Sequence, residues 1–229
     1  MKGLKQRAKA LRRRLDDAWA GDIATPAGRR RAWWHTQLID HAFLRAWSKN
    51  RAEVAPGVWR MNQPTPRDLE KLAAEGVRTV LSLRGQPAQS YALFEQEACA
   101  RLGLAFHAID LAAKNPPHPE ALKTMIRIFD AAELPLVIHC KSGADRTGTA
   151  ATVWRLVKCG DDTAQAMQQL SRRFRHNPDG PEGIQDDLFL LYARNGESRG
   201  QSFRDWVETD YDLWDVIAAY EQRTGRRWG

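Results

Sequence analysis

The sequence predicts an α/β fold: a mainly parallel central sheet flanked by helices, with a helical N-terminal extension and a helical C-terminal part. Three observations predict it. Short apolar runs alternate with helical stretches from residue 58 to residue 139; the last apolar run passes through a polar loop directly into an apolar-periodic helix; and everything beyond that loop reads as helix.

The elements follow in order. Leu4, Ala8, Leu11, Leu15, Ala18 and Trp19 recur at helical spacing, with Lys2, Lys5, Arg7, Lys9, Arg12, Arg13 and Arg14 on the remaining positions, which defines a basic amphipathic helix. Its apolar stripe suits packing on the domain or contact with an anionic membrane or acidic partner. Residues 21–31, with Pro26, Gly28 and an arginine triplet, read as a linker or exposed turn. A second helix is expected over 33–47. Strands are expected at 58–61, 77–83, 105–111 and 136–139, each apolar and closed by turn residues or the loop. Helices are expected at 66–75 after Thr65 as N-cap, at 91–102 and at 119–132, and then at 147–159, 163–174, 184–193 and 203–223.

A chain of 229 residues, 43% hydrophobic, can bury a full core. It divides into a basic helical extension, 1–50, and a catalytic domain with C-terminal helices, 51–229. Residues 1–60 hold 14 Lys+Arg against 5 Asp+Glu and the remainder 21 against 23, so the basic character belongs to the extension and no nucleic-acid partner is predicted. No apolar run approaches the roughly 20 residues of a membrane span, and the basic N-terminus lacks a secretory apolar stretch. A cytoplasmic protein is expected. Cys99, Cys140 and Cys159 form no Cys-x-x-Cys pair and the six histidines share no ligand spacing, so no disulfide, metal or cofactor is expected.

The chemistry concentrates after the strand at 136–139. A strand-loop-helix connection points backbone N–H groups and the positive end of the helix dipole at one spot, where an anion belongs. Cys140 stands at the strand's end in that field, which lowers a thiol pKa and favours thiolate. Arg146 offers a planar fork for two phosphate oxygens. Lys141, Ser142, Gly143, Ala144, Asp145 and Arg146 are the candidate substrate-binding residues, with Gly143 permitting the tight turn. Thr147 can donate to the departing sulfur, and His139 can brace the loop from behind.

His139-Cys140-x5-Arg146-Thr147-Gly148 resembles the signature of the protein tyrosine phosphatase superfamily, and the surrounding pattern resembles its atypical dual-specificity branch. Val54-Ala-Pro-Gly-Val-Trp59-Arg60-Met-Asn-Gln-Pro64 and Val77-Arg-Thr-Val-Leu-Ser-Leu-Arg84-Gly are similar to that branch's opening two strands. The resemblance covers residues 50–193. It implies a phosphocysteine intermediate hydrolysed without metal, and a general acid on a movable loop roughly 30 residues before the cysteine. Asp110 stands there, although no Trp-Pro-Asp triplet is present; Asp145 competes for the role or serves only to orient Arg146. The implied substrates are phosphorylated proteins (phosphotyrosine, phosphoserine or phosphothreonine) or phosphoinositides and inositol phosphates. Lys141 and Asp145 resemble lipid-directed loops. The alternatives are a phosphate-binding pseudo-phosphatase and a cysteine-loop arsenate reductase or sulfurtransferase.

Overall fold

The computed structural model describes residues 18–45 and 49–228. The helix expected over 4–19 therefore falls, apart from Ala18 and Trp19, outside the described residues.

Residues 21–31 are not a linker throughout, because a helix, α1 (Pro26–Leu38), starts within them. Thr25 caps it by accepting from the Gly28 N–H at 3.0 Å, and Pro26 occupies the first helical position, where a missing N–H costs nothing. The expected second helix also breaks: His41 takes φ +57°, and a short α2 (Ala42–Arg45) follows. α1 packs on the body of the molecule. Arg29 pairs with Glu97 and lies over the Phe94 ring, and buried His35 meets Ser90 Oγ at 2.8 Å.

The sheet contains β1 (Ala52–Ala55), β2 (Val58–Asn62), β3 (Thr79–Ser82), β4 (Ala105–Ala108) and β5 (Leu136–Cys140), in the order β1-β2-β5-β3-β4. β1 lies outside the expected strands and pairs antiparallel with β2; every other pairing is parallel, as the sequence predicts. β5 is central and buried throughout. Its side chains alternate between two cores: Leu136, Ile138 and Cys140 join the cluster on one face, and Val137 joins the other. β3 divides likewise, Leu81 to the first and Val80 to the second.

On the second face lie α3 (Pro66–Ala74), closed by a reciprocal cap between Thr65 and Asp68, and α4 (Ser90–Leu102), ended by Gly103 in the left-handed region. The first face carries α5 (Pro119–Ala131), α6 (Asp145–Trp154) and the C-terminal helices α8 (Ile184–Asn195), α9 (Phe203–Thr209) and α10 (Leu213–Thr224). α6 continues as a π-turn, Arg155–Cys159. The span 163–174 is not one helix: α7 (Thr163–Ala166) gives way to two 3-10 turns, and Leu170 between them has left helical geometry. The span 203–223 is broken at Asp210, and Asp212 starts α10 as a new cap on the Trp214 N–H at 2.8 Å. No helix among the described residues is long and apolar enough to cross a membrane.

Candidate active site

The loop between β5 and α6 is shaped from behind. Gly143 has φ +72°, and a Cβ there would lie 2.7 Å from the Met61 backbone of β2, so only glycine fits on both counts. Arg60, a fully buried β2 residue, donates to the carbonyls of Gly143 at 2.8 Å and Ala144 at 3.3 Å. Asn50 donates to those of Ser142 at 3.2 Å and Gly143 at 3.0 Å. In a planar trans peptide the C=O and N–H point in opposite directions. Tying these three carbonyls backward therefore aims the N–H groups of Gly143, Ala144 and Asp145 forward, a nest of the kind that binds anions. The Gly143 N–H donates to Cys140 Sγ at 3.3 Å.

Cys140 is 1% exposed. Burial alone would push its pKa up, but the Arg146 charge, the Thr147 hydroxyl and N–H and the Gly143 N–H together hold it below the ordinary thiol value. Arg146 is anchored by the carbonyls of Leu83 and Leu111, both at 3.2 Å, while its Nε is buried without a partner among the described residues. The Thr147 hydroxyl, also buried, acts on the Cys140 sulfur and has no other partner among the described residues. His139 lies directly behind the loop: its Nε2 is 2.6 Å from Glu95 Oε1, and its carbonyl accepts from the Leu83 N–H at 2.9 Å. Arg60 is supported by the Gln169 carbonyl at 2.6 Å and the Phe174 ring at 3.7 Å, and burial brings its pKa down to about 10, still a cation at neutral pH.

Asp110 follows β4, is exposed, and its backbone forms an isolated antiparallel β-bridge with that of Arg84. Gly85 makes room for it: a Cβ at Gly85 would sit 3.1 Å from the Asp110 Cβ. The next residue, Leu111, holds Arg146 through its carbonyl, which places the Asp110 backbone close to Arg146. Tyr91 stands there too, its phenol raised in pKa by burial and within electrostatic reach of Arg84, Asp40, Arg146 and Asp110. The segment after Asp110 is tethered from the C-terminal helices: Gln185 donates to the carbonyls of Ala112, Ala113 and Asn115, and Tyr211 to that of Pro117 at 2.6 Å. Gln185 also accepts from Thr149 of α6 at 2.9 Å, joining this segment to the loop's own helix.

Two loop side chains turn elsewhere. Lys141 Nζ lies 3.2 Å from Asp40, and Ser142 is exposed. Asp145 meets His176 Nδ1 at 2.8 Å, and His176 Nε2 meets Asp186 at 2.6 Å. Burial would lower the His176 pKa, but the two carboxylates outweigh it and push it up to about 9.

Asn50, Arg60, Glu95, His176 and Gln185 escape sequence reasoning, since their contacts cross the fold. Only Arg60 carries a local signal, a cation inside an otherwise apolar strand. Cys99 belongs to the core on the opposite face of the sheet and Cys159 is exposed beyond α6, so neither accompanies Cys140 as a second thiol.

The loop thus sets a thiol of lowered pKa among forward-facing backbone N–H groups, between a central parallel strand and a helix. The chain belongs to the dual-specificity/protein tyrosine phosphatase family and is a phosphatase: the family model described as "DSP-PTPase phosphatase fused to NAD+ Kinase" matches residues 40–187. It is similar to the dual specificity protein phosphatase TpbA of Pseudomonas aeruginosa strain UCBPP-PA14, 27% identical over 180 residues, 77% of this chain and 72% of the relative. A crystal structure of a P. aeruginosa TpbA variant in complex with pTyr aligns at TM-score 0.53 with 21% identity, covering 71% of this chain and 92% of that one. The core catalytic domain of a PP-IP phosphatase from S. cerevisiae, in complex with citrate, aligns at TM-score 0.50 with 16% identity, covering 64% and 93%.

Proposed function

We propose that the chain hydrolyses phosphate monoesters of proteins through a phosphocysteine intermediate. The observation that carries this reading is the Gly143 N–H donating to a Cys140 thiol whose pKa is lowered despite burial. The Cys140 thiolate attacks phosphorus; the S–P bond forms as the ester P–O bond breaks, and Asp110 gives its proton to the leaving oxygen. Arg146 and the N–H groups of residues 143–145 hold the equatorial oxygens. Water then attacks phosphorus, Asp110 takes a proton from it, the S–P bond breaks, and Thr147 donates to the departing sulfur.

Protein substrates are favoured over inositol phosphates by two contacts. Lys141 is engaged by Asp40 and Asp145 by His176, so the two side chains that suggested a lipid-directed loop already have protein partners. TpbA is named a dual specificity protein phosphatase and is crystallised with pTyr, in keeping with this choice. The test is a panel of phosphotyrosine, phosphoserine and phosphothreonine peptides and phosphoinositides, with quenched reactions probed for phosphorus on Cys140. Peptide turnover with labelled Cys140 is expected; turnover restricted to phosphoinositides, or without label, overturns the reading.

Residues 26–45 act as part of this catalytic unit, supported by their packing on α4 and by Asp40 at the site. The basic segment ahead of them, with the exposed Trp33, Trp34, Leu38 and Phe43, makes an anionic membrane surface a partner. Deleting residues 2–20 is expected to weaken salt-sensitive binding to anionic vesicles while leaving small-ester hydrolysis intact. Unchanged vesicle binding overturns this assignment.

A further inference from the structure

Asp40 lies outside the signature loop, in the turn between α1 and α2, and is the first residue of the family match. It is 4% exposed. Its carboxylate takes cations from three parts of the chain: Arg45 of α2 at 2.6 Å, Arg84 beyond β3 at 2.8 Å, and Lys141, next to the thiol, at 3.2 Å. Arg84 donates to Gln63 Oε1 at 2.9 Å, Gln63 Nε2 donates to Glu95 Oε2 at 2.7 Å, and Glu95 meets His139. The polar chain thus begins and ends on the two residues that flank Cys140, and Asp40 is its branch point.

Lys141 is the one member with a third of its side chain exposed, whereas Arg84 is 8% exposed and stacked on the Tyr91 ring at 3.4 Å. If the carboxylate lost its charge, Arg84 would stay wedged while the ammonium of Lys141 swung out. At contact distance the charge of Asp40 largely compensates that of Lys141; released, Lys141 adds a full positive charge beside the phosphate nest. Burial would raise the Asp40 pKa, but Arg84, Arg45 and Lys141 hold it at about 2, so the carboxylate is charged at all working pH.

Building on the phosphatase reading, we propose that Asp40 is a positioning residue that sets specificity: it holds Lys141 away from the phosphate nest, restricting the site to substrates with a single phosphate and against polyphosphorylated rings.

The test uses the full chain as wild type, Asp40→Asn, Lys141→Gln and the double variant. Inorganic phosphate and inositol hexakisphosphate serve as ligands, with affinity measured by calorimetry at two salt concentrations and Tm recorded for each protein. Asp40→Asn is expected to bind the hexakisphosphate roughly tenfold more tightly, a gain that shrinks as salt screens it. Affinity for inorganic phosphate changes much less, and the double variant returns to the affinity of Lys141→Gln. Equal shifts for both ligands, no shift, or the same shift when Lys141 is absent overturns the proposal. Should Asp40→Asn not fold, Lys141→Gln alone decides: unchanged hexakisphosphate affinity supports a lysine already turned away, and a large loss overturns it. Because binding is read without turnover, a wild type that fails to hydrolyse p-nitrophenyl phosphate sinks the phosphatase reading separately.

Discussion

Cys140 and Cys99 are both shut away from solvent, at 1% and 0% exposure, yet their thiols are displaced in opposite directions. Burial pushes Cys99 up to about 12, with the Glu95 charge adding to the effect. At Cys140 the same burial is outweighed by Arg146, Thr147 and Gly143. Cys99 sits inside α4, where the backbone donors around it are spent on the helix ladder. Cys140 sits where a strand ends and the next N–H groups have been turned toward it. The difference between the two thiols therefore lies in the Arg146 charge first, and then in the Thr147 and Gly143 donors, which together overcome at Cys140 the rise that burial brings to both.

Cys140→Ser is the severest test of that contrast. An alcohol in the same nest stays protonated at neutral pH, so p-nitrophenyl phosphate turnover should fall by on the order of 10⁴ or more. Phosphate affinity by calorimetry should persist. Asp110→Asn comes next, with a loss of about 10² to 10⁴ on phenyl phosphate and a much smaller one on esters of acidic phenols, whose oxygen leaves without a proton. Asp145→Asn should slow all leaving groups alike; a leaving-group dependence confined to that variant reverses the assignment.

Arg60→Met probes the nest without touching the reacting atoms. It removes the Arg60 donor from the Gly143, Ala144 and Gln169 carbonyls, of which Gly143 keeps Asn50 and Ala144 keeps the Gly148 N–H, at about 1 kcal/mol for each hydrogen bond lost. Tm should drop, and the Cys140 thiol should titrate higher in a pH series of iodoacetamide labelling. A lower Tm with an unmoved labelling profile would show that Arg60 supports the fold but not the thiol.

His176 gives a pH signature. Its folded pKa of about 9 lies above the ordinary 6.5, so its stabilisation is complete below pH 6.5 and fades as pH rises through about 9. Thermal melts of the wild type should decline across that window, and His176→Gln should remove that slope. Cys99→Ala should have the least effect on activity: kcat unchanged, with a small Tm loss from a cavity in the second core.

The contrast also marks what the sequence can carry. β2 to β5 and the signature loop are local patterns, short apolar runs closed by turn residues or by the loop itself, and they stand in the structure within a few residues of expectation. The broken helices at 163–174 and 203–223 were not legible, because the apolar spacing runs through both breaks. Pro26 and Gly28 spoke for a linker until Thr25 capped them. Arg60, His176 and Asp40 act through contacts many residues distant in the chain, where no spacing rule reaches. The loop's identity is written in consecutive residues; the groups that hold it are scattered along the chain.

The register that sets Asn62 beside Cys140 has a consequence for assembly. β5 is gripped by strands from earlier in the chain, and the parallel pairing with β2 closes a long loop whose entropic cost falls due before the contacts repay it. The strand that carries Cys140 is thus among the most non-local pieces of the topology. A peptide spanning only the signature loop should bind no phosphate, and a chain caught partway through folding should be chemically silent. Recovery of activity after denaturation accordingly times completion of the whole sheet.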